Sequence, residues 1–195
     1  GGDYIGPVNP GEMVVFSKKD GWRPERHQIL DPDEQMCVFE KMYFQGPRNK
    51  NAAIPNESFR KGLGKKLFEE FKKSTATFDP GDYVVVAVLD SGKFAAIGFS
   101  CASEIRYDEY LMRLHNVVGI NNRSFTSPNN QERDHTIDKK FHYDKDNIKG
   151  KNIILVDDSI VRSNTMSRLV KNLFAYKANS ITIAVAAPPI TGICP

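Results

Sequence analysis

The sequence predicts an open α/β sheet, mostly parallel, with helices on both faces and a short N-terminal arm. Three observations predict it. Two runs of strand length, Tyr83-Val84-Val85-Val86-Ala87-Val88-Leu89 and Asn152-Ile153-Ile154-Leu155-Val156, are apolar without alternation. Strands covered on both faces read that way. The second run is followed by a polar turn, an amphipathic helix and a third strand, which is the order of a right-handed crossover unit. Composition agrees: 195 residues, 40% apolar and 26% charged, suit a globular chain with one good core and an arm. They argue against wholesale disorder, collagen and a disulfide scaffold.

The elements follow in chain order. Residues 1–35 are rich in Gly, Pro and Asp around one apolar run, Met13-Val14-Val15-Phe16. They read as an arm holding a strand or two, and the main domain is expected over 36–195. Met36 to Phe44 mixes β-branched and aromatic residues, which suits a buried strand or the start of a helix. Gly46 to Pro55 is a polar loop. Asn56 can cap the next helix, in which Phe59, Leu63, Leu67 and Phe71 recur at helical spacing. Asp79-Pro80-Gly81-Asp82 is a turn into the first long strand, and Asp90-Ser91-Gly92 breaks that strand. Phe94, Ile97, Gly98 and Cys101 then return to helical spacing, with Cys101 expected in the core. Residues 106–148 carry only weak periodicity, and a mobile loop is expected from about Leu114 to Gln131. After the second long strand, Met166, Leu169, Val170, Leu173 and Phe174 form a helical stripe. Ile181 to Ala187 is the third strand.

Several function classes are disfavoured. No apolar stretch approaches the roughly 20 residues that span a bilayer. Lys plus Arg is 27 and Asp plus Glu is 24, so the net charge is +3. That surplus does not predict nucleic-acid binding, though it suits small anions such as phosphates. The cysteines are Cys37, Cys101 and Cys194. They are few and widely spaced, and an odd number cannot all pair, so a secreted disulfide framework is not expected. The opening Gly1-Gly2-Asp3 shows no signal-peptide pattern, and a cytoplasmic protein is expected. His27, His115, His135 and His142 show no metal-ligand spacing. The absence of an initiator Met and an ending that runs straight on from a strand both read as cuts within a longer polypeptide.

The chemistry is expected beyond the carboxyl ends of the strands, where open α/β sheets hold ligands. Two strands end in hydroxyl-bearing acidic turns, Leu89-Asp90-Ser91-Gly92 and Val156-Asp157-Asp158-Ser159. Adjacent acids after an apolar run do nothing for a strand. They suit hydrogen bonds to a polyhydroxyl ligand, or a cation held through water. The turn Arg162-Ser163-Asn164-Thr165 then opens a helix, whose free N–H groups and dipole suit a phosphate. A ribose bearing a phosphate would meet both features. The plainer readings are that Asp157-Asp158-Ser159 caps the helix, that Asp90-Ser91-Gly92 is only a turn, and that Lys93 is a solvated helix-start lysine.

The stretch Ile154-Leu155-Val156-Asp157-Asp158-Ser159-Ile160-Val161-Arg162 resembles the phosphoribosyl pyrophosphate (PRPP) motif of type I phosphoribosyltransferases. Its Ser-Ile-Val-Arg continuation resembles the amidophosphoribosyltransferases in particular. Cys37-Val38-Phe39-Glu40 with Tyr43-Phe44, Leu89 to Gly98, and Ala187-Pro188-Pro189-Ile190 resemble further segments of that family in unbroken order. The resemblance implies a type I phosphoribosyltransferase fold and a reaction in which ammonia displaces pyrophosphate from C1 of PRPP, giving phosphoribosylamine for purine synthesis. It implies that Asp157 and Asp158 hold the ribose hydroxyls. Ser159, Arg162, Ser163, Asn164 and Thr165 would hold the 5′-phosphate, and Asp90, Ser91, Gly92 and Lys93 the pyrophosphate. Mg²⁺ would bridge substrate oxygens near Asp157 and Asp158, and Lys93 would join those acids as a catalytic residue. Residues 1–30 would resemble the tail of a glutaminase domain whose nucleophilic cysteine is not in this sequence, so ammonia would come from elsewhere. Cys37 and Cys194 would stand at two iron–sulfur ligand positions of a longer parent; the bland alternative is two small buried side chains. The family commonly forms dimers or tetramers, with no nucleic-acid or membrane partner.

The sequence also departs from the family. Its phosphate turn usually reads Arg-Gly-Thr-Thr; here Ser163 replaces the Gly and Asn164 one hydroxyl residue. Leu89 replaces a Pro. The loop usually reading Lys-Asn-Arg-Tyr-Val-Gly-Arg-Thr-Phe is longer here, from Leu114 to Phe125. Its Lys and first Arg are gone unless Arg113 or His115 substitutes. These departures keep two other readings open: a non-catalytic PRPP or nucleotide sensor with a degraded closing loop, and a salvage transferase acting on a purine base.

Overall fold

In the computed structural model, which describes residues 3–31, 37–49, 54–75, 77–113, 141–161 and 163–192, the chain forms two units, Gly1–Val38 and Phe39–Pro195. In the first, β1 (Glu12–Phe16) and β2 (Pro24–Gln28) pair antiparallel, with Val14 opposite Arg26. Gly11 adopts a left-handed φ of 70°, and its carbonyl accepts hydrogen bonds from the N–H groups of Ile29 and Leu30. Arg26 donates to the Glu12 carboxylate at 3.0 Å and to Pro7 O at 3.0 Å. None of the apolar residues over 3–31 is buried. The strand expected at Met13–Phe16 is thus present, in a hairpin without a core of its own.

The second unit opens with a single π-helical turn, Glu40–Phe44, whose Met42 is buried. That turn occupies the segment that suited either a strand or a helix. Helix α1 (Asn56–Ser74), strand β3 (Tyr83–Ala87), helix α2 (Lys93–Ser103), and short strands β4 (Leu111–Arg113) and β5 (Phe141–Tyr143) follow. Then come β6 (Asn152–Asp157), helix α3 (Ser163–Ala175) and β7 (Ser180–Val185). The sheet order is β3-β6-β7, all parallel, with Val85 beside Ile154 and Ile154 beside Thr182. A parallel bridge between Val85 and Tyr107 extends the sheet on the other side of β3. β4 and β5 pair antiparallel. They lie within the stretch where the sequence showed weak periodicity and no strand was expected. The expected loop over 114–131 lies outside the described residues.

Side chains alternate across each strand. Val84, Val86, Val88, Ile153 and Leu155 face Leu169 and Leu173 of α3, with Tyr110, Leu111 and Phe141 alongside. Val85, Ala87, Ile154 and Val156 face Phe68 of α1 and Ala96 and Phe99 of α2. Both faces are therefore covered, which is why the two strands read as uninterrupted apolar runs. Burying one such Val, Leu or Ile contributes about 1.5–3 kcal/mol, more than a surface ion pair does.

Three expectations about packing are corrected. Asn56 does not cap α1: the N-cap residue is Pro55, and the buried Asn56 amide donates to Gln45 Oε1 at 3.0 Å and Gly46 O at 3.1 Å. The stripe Phe59, Leu63, Leu67 and Phe71 is only half-buried, while Asn56, Arg60, Gly64 and Phe68 form the fully buried line. The cause is a close helix crossing. A Cβ on Gly64 would stand 1.9 Å from Ala95 O, and one on Gly98 would stand 2.0 Å from Lys61 O. Small residues sit at such a contact, and large apolar ones splay to either side. Cys101, expected in the core, is exposed on α2, because Ala95, Ala96, Gly98 and Phe99 supply its buried face. Among the described residues, no helix is long and apolar enough to cross a membrane.

Candidate functional site

The polar turns after β3 and β6 meet at the carboxyl edge of the sheet. The ladder runs one residue past β3, with Val88 N–H donating to Val156 O at 2.8 Å. The Leu89–Asp90 peptide is cis. Gly92 then lies so close to β6 that an added Cβ would stand 2.4 Å from Val156 O and 3.0 Å from the Asp157 Cα. Only glycine fits there, and its lack of a side chain lets the two turns touch. Ser91 Oγ donates to Asp157 Oδ1 at 3.2 Å, joining residues 66 apart in sequence.

Asp157 and Asp158 are both buried, at 8% and 5% exposure. Asp157 Oδ1 also accepts from the Asp158 N–H at 2.9 Å, and Asp158 Oδ1 accepts from the Ser159 N–H at 2.7 Å. Asp158 Oδ2 is buried with no hydrogen-bond partner among the described residues. Burial first, then the neighbouring Asp158 charge, hold the Asp157 carboxyl well above the usual carboxylate range. Adjacent buried carboxylates resist ionising together, which is why the neighbouring charge acts in the same direction as burial on Asp157.

Sequence reasoning missed Arg60, which is 7% exposed on α1. Its Nε donates to Lys41 O at 2.9 Å and its Nη2 to Gln45 O at 2.7 Å. Burial lowers its pKa, and the charge of Asp158 opposes that shift, so the two lie within electrostatic reach. Arg60 thereby brings a positive charge within electrostatic reach of Asp158. The available signal was weak: a lone arginine on the supposed solvent side of an amphipathic pattern.

The other predicted residues are distributed as follows. Asp90 pairs with Arg113 at the end of β4. Lys93, the first residue of α2, donates to Glu109 Oε1 at 2.7 Å, and Tyr107 OH donates to the same oxygen at 3.2 Å. Lys93 therefore carries its charge already balanced. Ser163, Asn164 and Thr165 make the first turn of α3; the first two are exposed and Thr165 is half-buried. Arg162 and Cys194 lie outside the described residues. Cys37 is exposed, which contradicts the reading of it as a small buried side chain. Among the described residues, no three His, Cys, Asp or Glu side chains cluster as metal ligands.

Comparison with known proteins bears on this arrangement. No protein-family model matches the chain. The chain is 36% identical over its full length to the amidophosphoribosyltransferase of Synechocystis sp., of which it covers 37%. It is 37% identical over 97% of its length to that of Pyrococcus horikoshii, covering 39% of it. The glutamine PRPP amidotransferase structure from Bacillus subtilis, complexed with ADP and GMP, matches 96% of the chain and 38% of its own length, at 30% identity and a TM-score of 0.69. The chain thus spans a little over a third of the relatives it matches. Its fold is the type I phosphoribosyltransferase fold that the sequence led us to expect, and its relatives along its whole length are amidophosphoribosyltransferases.

Proposed function

We propose that this chain is the PRPP-binding portion of an amidophosphoribosyltransferase, transferring ammonia to C1 of PRPP to give phosphoribosylamine for purine synthesis. One arrangement carries the reading. Two buried adjacent carboxyl groups stand at the end of β6 and just after it, the first is bonded by Ser91 of the turn after β3, and the N-terminus of α3 follows. In this reading Asp157 and Asp158 accept hydrogen bonds from the ribose hydroxyls, and the unpartnered Asp158 Oδ2 is one of the acceptors. Ser159, Arg162, Ser163, Asn164 and Thr165 bind the 5′-phosphate, where a helix start favours an anion. Asp90, Ser91, Gly92 and Lys93 form the diphosphate turn.

The reaction balances simply. The ammonia nitrogen forms a bond to C1, the C1–O bond to diphosphate breaks, its electron pair leaves with diphosphate, and the ammonium proton passes to solvent. Positive charge builds on the sugar and negative charge on the leaving group. The chain's contribution is to hold the ribose in line and to stabilise those charges. In this reading the acid pair serves the sugar, and the charge of Arg60 lies within electrostatic reach of Asp158. Carboxylates are hard oxygen donors that suit Mg²⁺ shared with substrate phosphates and water, so Asp157 and Asp158 fit such an ion. When bound, Mg²⁺ would supply positive charge to the leaving diphosphate.

Residues 1–35 belong, in this reading, to the tail of a neighbouring glutaminase domain that supplies the ammonia. The exposed Tyr4, Ile5, Phe16 and Trp22 support that assignment, since their hairpin buries no apolar residue on its own. A cytoplasmic location and assembly with further copies go with the same reading.

The test is calorimetric titration with PRPP and Mg²⁺, together with diphosphate release from PRPP when ammonia is supplied. The wild-type chain should bind and turn over. Asp157→Asn combined with Asp158→Asn should abolish binding with an unchanged circular dichroism spectrum. Binding that survives the double change, or a wild-type chain that binds no PRPP, overturns the proposal. Binding without turnover would favour the sensor.

A further inference from the structure

We propose that Ser91 is a positioning residue: its hydroxyl sets Asp157 for the ribose and gives the diphosphate no side-chain donor, although its backbone lies in the diphosphate turn. The inference rests on the function proposed above and divides that turn between two parts of the substrate. It starts from a count of donors. A serine hydroxyl carries one proton. The Ser91 hydroxyl directs it to Asp157 Oδ1 at 3.2 Å. Diphosphate oxygens call for a donor as well, so the hydroxyl serves the carboxyl or the diphosphate, not both. Switching to the diphosphate would take a bond from an acceptor that is 8% exposed. Water reaches such a group poorly, and a buried acceptor left short of its donor is costly.

The backbone on either side of Ser91 is built to keep it there. Before it, Val88 N–H donates to Val156 O of β6 at 2.8 Å. After it, Gly92 N–H donates back to Val88 O at 2.9 Å, and the missing Gly92 side chain lets the turn lie against Val156 and Asp157. The turn is therefore docked on β6, and the serine arrives at Asp157 from a separate element. That origin matters for orientation. The second bond to Oδ1 comes from the N–H of Asp158, the next residue in the chain, at 2.9 Å. A bond from the next residue moves with the end of β6, whereas a bond from the turn after β3 ties the carboxyl to the sheet. With Oδ1 held from two sides, Oδ2 is the oxygen that Asp157 offers to a ribose hydroxyl.

Calorimetry on the full chain tests this with three probes: ribose 5-phosphate and inorganic diphosphate, both without added Mg²⁺, and PRPP with Mg²⁺. Ser91→Ala should weaken ribose 5-phosphate and PRPP by about tenfold, the loss of one hydrogen bond to a carboxyl group. It should leave inorganic diphosphate within about twofold. Ser91→Thr keeps the hydroxyl and should return ribose 5-phosphate to within about threefold of wild type. Diphosphate weakened by Ser91→Ala as much as ribose 5-phosphate, or more, overturns the assignment, because the hydroxyl would then be a diphosphate ligand or a general support of the fold. So does a threonine variant as weak toward ribose 5-phosphate as the alanine one. A wild-type chain that binds none of the three probes sinks the proposed function itself, whereas normal PRPP binding with no effect of Ser91→Ala sinks only this inference.

Discussion

Asp157 sits where burial and a like charge both oppose its ionisation. Its folded pKa lies above the unfolded value of about 3.9. The folded chain therefore binds more protons than the unfolded chain between those two values. The stability tied to this group is complete below the unfolded pKa and is lost as pH rises through the folded one. At neutral pH the chain carries that cost. Asp157→Asn removes it and keeps an Oδ1 acceptor for the Asp158 N–H and the Ser91 hydroxyl. The expected result is a higher melting temperature at pH 7.5 and no difference near pH 3.5, with each 1 kcal/mol moving the midpoint by about 2–4 °C. A variant less stable at both pH values would mean that Asp157 is stabilising as a charge. The same residue shows what one sequence can reveal. Two acids after Ile153-Ile154-Leu155-Val156 contradict strand chemistry, so Asp157 and Asp158 stand out by pattern. Arg60 does not, because the carbonyls it bonds belong to Lys41 and Gln45, 19 and 15 residues away. Helical spacing alone places it among solvated charges.

At the scale of elements, α1 is fastened on two sides by different means. Arg60 fastens it to the segment at Glu40–Gln45 through the carbonyls of Lys41 and Gln45. Arg60→Met leaves those carbonyls without their donor and Asp158 without its nearby positive charge. Losing hydrogen bonds made by a charged donor costs about 1.5–3 kcal/mol, which urea unfolding would register; a loss under about 0.5 kcal/mol would mean the fastening is slack. Glycine fastens the helix to α2. Gly62 and Gly64 are neighbours in α1, yet an added Cβ meets nothing within 4 Å at Gly62 and lies 1.9 Å from Ala95 O at Gly64. Gly62→Ala should stabilise by up to about 1 kcal/mol through helix propensity. Gly64→Ala should destabilise by about 1–3 kcal/mol through overpacking. Equal effects in thermal melts would refute the close crossing. Sequence pattern identified α1 as a helix but misassigned its buried line, because an apolar stripe marks the contact face only where helices meet through large side chains. The β4–β5 pair was hidden for another reason. Three residues on each side are too few to show alternation, and Arg113 and Phe141 pair across a long sequence separation.

On the scale of the whole chain, the layers decide which parts open first. β6 lies between β3 and β7, and both its faces are covered, with Ile153, Ile154, Leu155 and Val156 each at most 1% exposed. The two-sided cover was legible because a strand buried on two sides must be apolar at every position; the strand order was not. Exposing a β6 amide requires separating a strand neighbour and uncovering core, which amounts to global unfolding. The hairpin β1–β2 stands at the other extreme: among the described residues its strands pair only with each other, and it buries no apolar residue. Two-stranded hairpins of that kind are marginal in water, so its amides should exchange through local opening. Native-state hydrogen exchange followed residue by residue should therefore give two separate classes. The amides of Ile154 and Leu155 should be the slowest, and their exchange should track urea as global unfolding does. Those of Val14 and Val15 should be orders of magnitude faster and nearly insensitive to low urea. If the hairpin amides were as protected as those of β6, and responded to urea with the same slope, the hairpin would be part of the cooperative core, and its assignment to the tail of another domain would fall with that result.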